Sequence, residues 1–141
     1  MKYRYLLIDN DNTLMDFHAA EHAGLRETLT EAGIEPTDAV CARYSAINDA
    51  LWKALERGET THAALKIARF AQLLAEYPAE NVCAPRLALR YSHYLGTHAD
   101  LMPGAEAFLR RLHGQMKIVL VSNGDSVIQR NRLFRCVFTP L

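Results

Sequence analysis

Two short apolar runs, residues 3–8 and residues 117–121, stand out in the pattern of hydrophobic and polar positions. Each run is shorter than an ordinary helix and passes directly into polar residues, which is typical of a buried strand that ends in a loop. The second run, Lys-Ile-Val-Leu-Val, is rich in the β-branched side chains that strands favour. The pattern therefore predicts two buried strands that each deliver polar groups at their carboxyl end.

The stretch between the two runs has helical periodicity, with apolar residues recurring three or four positions apart. Glycine, proline and threonine residues divide it at places where helices commonly end or begin. Helices separated by these breaks predict an α/β fold, in which the block from residue 16 to residue 101 is inserted between two strands of one sheet. The predicted helices cover approximately residues 19–32, 37–57, 61–76, 81–95 and 103–113.

Composition and charge narrow the classes of partner. A chain of 141 residues is of ordinary size for one domain, with room for a small appended subdomain. Its formal net charge of zero provides no basic surface for nucleic acid or for an anionic membrane. No apolar stretch approaches the length of a membrane span, and neither a signal peptide nor a CxxC pair is present. We therefore expect a soluble cytoplasmic protein that binds neither nucleic acid nor membranes.

The segment after the first apolar run, Asp9-Asn-Asp-Asn-Thr13, places two acids two positions apart. Open parallel sheets bind ligands at the carboxyl ends of their strands, so this segment is a candidate site. Two carboxylates at such a place repel each other and are most easily tolerated when a cation or a positively charged partner joins them. Mg²⁺ is the natural candidate because it is a hard ion that prefers carboxylate and phosphate oxygens.

This segment resembles the first motif, Asp-x-Asp-x-Thr, of the haloacid-dehalogenase (HAD) superfamily, with Asp9, Asp11 and Thr13 at its three positions. The resemblance implies that Asp9 attacks phosphorus to form an aspartyl phosphate, and that Asp11 protonates the leaving group and then activates water. It also implies that Thr13 binds phosphate and that Asp9 and Asp11 hold Mg²⁺. Members that remove halide lack an acid at the second position, so Asp11 favours a phosphatase over a dehalogenase.

The residues after the second apolar run resemble the second motif of the same superfamily. Ser122 stands where a serine or threonine of that motif hydrogen-bonds the phosphoryl group. Main-chain N–H groups near Asn123 and Gly124, and the positive end of a helix starting near Asp125, would add donors for the phosphate. Ser-Asn-Gly alone is an ordinary turn, so its value lies in the pairing with the first motif.

The helical block carries a further resemblance, to the helical cap of the pyrimidine 5'-nucleotidases in this superfamily. It implies a partial Rossmann-like HAD core with parallel strands, residues 1–15 and 102–141, and an all-helical cap, residues 16–101. The implied activity is Mg²⁺-dependent hydrolysis of pyrimidine nucleoside monophosphates, with a cap that closes over the phosphate and excludes water. The segments that carry the resemblance are Tyr44-Ser-Ala-Ile-Asn-Asp-Ala-Leu-Trp-Lys-Ala-Leu-Glu-Arg-Gly58 and Lys66-Ile-Ala-Arg-Phe70.

Two further motifs of the superfamily, a lysine and one or two acids, have no counterpart here. No lysine follows Lys117, and no aspartate or glutamate follows Asp125. The sequence therefore has the form expected of a C-terminally truncated member. One alternative is a catalytically inactive remnant, or a fragment that binds phosphate or depends on a partner. Another is complementation, in which a second copy adds strands at the open sheet edge to form a homo-oligomer.

Overall fold

The computed structural model describes residues 2–136, so Met1 and residues 137–141 of the predicted core lie outside the described part. Helices and strands alternate as in an α/β protein, with two parallel strands and six helices among the described residues. This is the predicted fold class. The elements in chain order are β1 (Tyr5–Asp9), α1 (Phe17–Glu31), α2 (Asp38–Glu56), α3 (His62–Glu76), α4 (Ala84–Leu95), α5 (Ala105–Leu112), β2 (Lys117–Val121) and α6 (Ser126–Arg135).

The two strands pair in parallel along their full length, from Tyr5 opposite Lys117 to Asp9 opposite Val121. Because both strands end at the same edge, the polar residues that follow them leave the sheet side by side. The prediction of fully buried strands is wrong, since alternate side chains face outward and Leu7, for example, is 67% exposed. Only the inner face of the sheet is covered. There, Ile8 of β1 and Ile118 and Leu120 of β2 pack against a small apolar core formed by Leu14, Ala105 and Leu109.

The chain divides into two compact units, unit 1 (residues 1–21 and 95–141) and unit 2 (residues 22–94). Unit 1 contains the sheet. Unit 2 has a core in which three fully buried aromatic rings, Tyr44, Phe70 and Tyr91, lie 5.4 to 5.8 Å apart between centroids. The assignment of residues 16–101 to a cap stays a prediction. Within residues 2–136, no helix combines the length and apolar character needed to cross a membrane.

Local sequence explains where the helices begin and end. The Thr37 hydroxyl accepts the N–H of Val40 at 3.3 Å and thereby caps α2. The Thr61 hydroxyl caps α3 in the same way, with the N–H of Ala64 at 3.2 Å. Gly58 follows α2 with a φ of 73°, a left-handed conformation that glycine adopts at little cost. These residues lie at the helix boundaries that the sequence pattern predicts, near residues 37, 58 and 61.

Glu31 is held by two side chains of α4, Tyr94 and Arg90. The Tyr94 hydroxyl donates to its carboxylate at 2.6 Å, and Arg90 lies 2.9 Å away. The Tyr94 hydrogen bond, followed by the hydrogen bond and positive charge of Arg90, lowers the pKa of Glu31 below its usual value. A lowered folded-state pKa gives stability that is complete above the unfolded carboxyl pKa, about 4.3, and is lost as pH falls through the folded pKa.

We therefore expect Glu31→Gln to lower the stability of unit 2 at pH 7, with the deficit shrinking as pH falls below about 4. Trp52, the only tryptophan of the chain, lies in α2 and reports urea unfolding of this unit by its fluorescence. The comparison is made at low salt, since exposed ion pairs are screened. A difference between variant and wild type that stays constant from pH 7 to pH 3 would contradict the expectation.

Candidate functional site

The loop after β1 is folded tightly around the buried main chain of Asn10. The carbonyl of this residue accepts the N–H groups of Thr13, Leu14 and Met15 at 3.2, 2.9 and 3.0 Å. Asn12 adopts a φ of 58°, which asparagine tolerates better than most residues, and its side-chain oxygen accepts the N–H of Phe17 at 3.1 Å. The loop therefore joins β1 to α1 with a fixed geometry, and this geometry sets the directions of the acids on either side of Asn10.

Asp9, the predicted nucleophile, ends β1 with an exposed carboxylate. The Thr13 hydroxyl donates to its Oδ2 atom at 3.2 Å. Asp9 and Thr13, the outer residues of the predicted first motif, are thus brought together at the edge of the sheet. An exposed carboxylate with one oxygen hydrogen-bonded in this way retains its other oxygen, Oδ1, for attack on a substrate or for a cation.

Asp11, the predicted acid and base, contacts two side chains of α6. The Arg132 guanidinium donates from Nη1 to Oδ1 at 2.6 Å, and Gln129 donates from Nε2 to Oδ2 at 2.8 Å. The side chain of Arg132 is completely buried, whereas that of Asp11 remains 25% exposed. The Asp11 carboxylate is therefore bound by side chains of α6 and remains partly exposed to solvent.

Ser122 follows β2 and is connected to Asp11 through Gln129. The Ser122 hydroxyl oxygen accepts the N–H of Gly124 at 3.1 Å and the Nε2 of Gln129 at 2.9 Å. At Gly124 an added Cβ would lie 2.8 Å from that same Nε2 atom, so the close approach of Gln129 favours glycine there. Asp125 caps α6 by accepting the N–H groups of Val127 and Ile128, so the positive helix end already has a carboxylate beside it.

Three polar residues of this site, Asn10, Gln129 and Arg132, were not predicted from the sequence. Asn10 is buried and donates from its side-chain nitrogen to Oε1 of Gln129 at 3.0 Å. Arg132 supplies a positive partner for Asp11, whereas the sequence pointed first to Mg²⁺ as the cation between the two acids. The sequence contains only a weak indication that Gln129 and Arg132 act together, which is that they lie three positions apart and share one face of a helix.

The Asp9 carboxylate suits Mg²⁺ better than the Asp11 carboxylate, because both oxygens of Asp11 already accept hydrogen bonds from side chains of α6. Mg²⁺ is usually bound through one or two carboxylates and completes its shell with water and substrate phosphate. Asp9 with a bound phosphate therefore fits this ion. Within residues 2–136, no group of three or more histidine, cysteine or acidic side chains could hold a metal. The assignment of both Asp9 and Asp11 as metal ligands stays a prediction.

Comparison with known proteins gives relatives of one type, although no family model matches the chain. The HAD-hydrolase YfnB of Bacillus subtilis is 37% identical over 132 residues, which are 94% of this chain and 56% of that protein. Its crystal structure, bound to magnesium, superposes with a TM-score of 0.91 at 35% identity over 99% of this chain and 61% of that one. This chain is a relative of the HAD hydrolases.

Two further relatives carry a more specific name. The pyrimidine 5'-nucleotidase PynA of Streptococcus pneumoniae is 34% identical over 141 residues, 99% of this chain and 59% of that protein. The pyrimidine 5'-nucleotidase YjjG of Escherichia coli is 27% identical over 135 residues, 96% of this chain and 58% of that protein. These proteins bear out the resemblance to the HAD superfamily and its pyrimidine nucleotidases. The chain spans a little over half the length of each of these relatives.

The HAD fold is also seen at lower identity. The defluorinating L-2-haloacid dehalogenase Rha0230 superposes with a TM-score of 0.70 at 17% identity, over 94% of this chain and 56% of that one. Identity at this level shows a shared fold and carries nothing about the reaction. The fold is thus common to HAD proteins of different chemistry, so the reaction must be argued from the residues at the site.

Proposed function

We propose that this chain has Mg²⁺-dependent phosphatase activity on nucleoside monophosphates, those with a pyrimidine base first. The observation that carries the proposal is the arrangement around the first motif: an exposed Asp9 carboxylate at the strand end, with Asp11 two residues away and held by Arg132. The names of PynA and YjjG support the substrate class. An aspartate nucleophile beside a second aspartate that moves protons is a known route for hydrolysing phosphate esters.

In the first step, an oxygen of Asp9 attacks phosphorus and the bond from phosphorus to the nucleoside oxygen breaks. Asp11, protonated at this stage, gives its proton to the departing oxygen, so that a neutral nucleoside leaves. In the second step, Asp11 takes a proton from water as the water attacks the aspartyl phosphate. Phosphate is released and the Asp9 carboxylate is restored. When bound, Mg²⁺ supplies positive charge that offsets the negative charges of Asp9 and the phosphate.

The phosphate would be oriented by hydroxyl and main-chain donors at the ends of both strands. The Ser122 oxygen already accepts hydrogen bonds from Gly124 and Gln129, so its own O–H hydrogen remains to be donated to a phosphate oxygen. We assign the same role to the Thr13 hydroxyl and to N–H groups at Asn123 and Gly124. Preorganised donors of this kind stabilise the charge that develops on the phosphoryl oxygens.

The direct test is phosphate release from the monophosphates of uridine, cytidine and thymidine by the purified chain, with Mg²⁺ or with a chelator. The matched control is Asp9→Asn, which keeps the shape of the side chain but removes the nucleophilic charge. We expect Mg²⁺-dependent release by the wild type and a loss of at least about 10³-fold in the control. Release that is equal in the control, or absent from a chain shown to be folded, would refute the proposal and favour an inactive remnant.

We further propose that the active species is a homo-oligomer joined at the open sheet edge. Among the described residues the sheet has only two strands, so each has an edge with which a strand of a second copy could pair. The outer face of the sheet also exposes the apolar side chains of Tyr5, Leu7, Val119 and Val121. Native mass spectrometry of the active fraction tests this part separately. Activity in a strictly monomeric fraction would remove the oligomer from the proposal and leave the reaction standing.

A further inference from the structure

The completely buried guanidinium of Arg132 requires an explanation. Burying an arginine costs free energy unless its charge is paired and its N–H groups find acceptors. Arg132 donates to Oδ1 of Asp11 at 2.6 Å, to Oε1 of Gln129 at 3.1 Å and to the carbonyl of His98 at 3.0 Å. Its guanidinium also lies 5.7 Å from the ring centroid of Phe17. The side chain is therefore fixed through Nε and Nη1, while Nη2 is buried with no hydrogen-bond partner among the described residues. Its charged partner, Asp11, is an acid of the candidate site.

The side-chain amide of Gln129 is fixed in a similar way. Its nitrogen donates to Asp11 at 2.8 Å and to Ser122 at 2.9 Å, which uses both of its hydrogens. Its oxygen accepts from Asn10 at 3.0 Å and from Arg132 at 3.1 Å, which uses both of its lone pairs. The opposite orientation of the amide would face donors with a donor, so only this orientation satisfies the four partners. Gln129 therefore connects residues from the ends of both strands.

Together these contacts hold each carboxylate oxygen of Asp11 with a separate donor from α6. Each oxygen still has a lone pair for a proton, because one hydrogen bond uses only one of its two lone pairs. The carboxyl group can thus carry or release a proton while its plane and direction stay fixed. Positioning of this kind is what general acid catalysis requires, since a displacement of about 1 Å can cost about 10²-fold in rate.

We propose that Arg132 and Gln129 are positioning residues that hold the Asp11 carboxyl group toward the leaving oxygen of the substrate. This inference rests on the proposed phosphatase function. The balance of the step is simple: the proton moves from Asp11 to the oxygen that separates from phosphorus, and the resulting carboxylate pairs with Arg132. No additional reactant is involved.

The proposal makes a prediction about leaving groups that a purely structural role would not make. A nucleoside leaves as a strongly basic alkoxide and needs a proton, whereas p-nitrophenolate is stable without one. We expect Arg132→Met to lower the single-turnover rate of leaving-group release by about 10²-fold for uridine monophosphate and by less than about tenfold for p-nitrophenyl phosphate. This rate reports the first step alone, because the later attack of water on the aspartyl phosphate is common to both substrates. Gln129→Leu is expected to act in the same direction, and KM is expected to change little in either variant.

Three further variants serve as controls in this experiment. Asp11→Asn removes the acid itself and should give the same selective loss as Arg132→Met. Arg132→Lys keeps the positive charge and should recover part of the rate on uridine monophosphate. Arg130→Met alters an exposed arginine two positions away on α6 and should leave both rates unchanged. Circular dichroism verifies the folding of each variant, and Gln129→Leu with Arg132→Lys carries the test if Arg132→Met does not fold.

The outcomes separate the two proposals. An active wild type whose Arg132→Met and Gln129→Leu variants lose the same factor on both substrates would overturn the positioning role and leave the phosphatase function intact. A folded wild type that releases phosphate from neither substrate would overturn the phosphatase function, and the positioning role with it. A selective loss on uridine monophosphate, shared with Asp11→Asn, is the result that supports the inference.

Discussion

Arg132→Met is expected to lower the free energy of unfolding of unit 1 by about 2–4 kcal/mol. The substitution leaves Asp11 without its cation and the carbonyl of His98 without the donor that lies 3.0 Å away. Breaking a fully buried ion pair typically costs about 3–5 kcal/mol, and the loss here is set lower because Asp11 is 25% exposed. Urea titrations followed by far-ultraviolet circular dichroism measure the change.

A double-mutant cycle separates the ion pair from the loss of packing. Asp11→Asn removes the charge that Arg132 neutralises, so the combined variant should be more stable than the sum of the two single losses predicts. We expect a coupling of about 1–3 kcal/mol, which lies within the range of about 0.5–3 kcal/mol for residues that share a hydrogen-bonded network. Arg130→Met, at an exposed position of the same helix, should change stability by no more than about 0.5 kcal/mol. Strictly additive losses would show that the Asp11 contact contributes nothing to stability.

Phe70→Ala is expected to destabilise unit 2 by about 3–5 kcal/mol. The Phe70 ring is fully buried, and its centroid lies 5.4 Å from that of Tyr44 and 5.5 Å from that of Tyr91. Removing it leaves a cavity and also abolishes two aromatic contacts, each worth about 0.5–1.5 kcal/mol beyond the buried area. Trp52 fluorescence during urea unfolding gives the measurement, since this residue belongs to the same unit.

The matched control for Phe70→Ala is Leu89→Ala on α4. Leu89 is 71% exposed, so its truncation should change the unfolding free energy by no more than about 0.5 kcal/mol. The two variants thus compare a buried and an exposed large-to-small substitution within one unit. Equal effects of the two substitutions would mean that the aromatic cluster of Tyr44, Phe70 and Tyr91 is not the centre of stability in unit 2.

Features that depend on neighbouring residues could be predicted from the sequence. The structure contains the two predicted strands and the predicted helix boundaries, which are formed by the caps Thr37 and Thr61 and by Gly58. Each of these features depends on residues only a few positions apart along the chain. The parallel α/β class also follows from the order of these elements. The roles of Asp9 and Asp11 came from a motif, and they stay predictions that the proposed experiments test.

Features that depend on distant residues could not be predicted. Arg132 and Asp11 are separated by 121 positions, and Gln129 and Asn10 by 119. Arginine and glutamine are usually exposed, so their positions on α6 were no reason to expect burial. The outer face of the strands was misjudged for a related reason, because a short apolar run does not tell whether both of its faces are covered.

The parallel pairing of β1 with β2 also determines the order in which the molecule can form. Tyr5 must find Lys117 across more than one hundred intervening residues, and closing so long a loop makes the pairing slow. Unit 2, by contrast, is one continuous segment, residues 22–94, that emerges from the ribosome before β2 emerges. Asp11 is therefore among the first residues made, yet it acquires its partners Gln129 and Arg132 only after α6 has emerged.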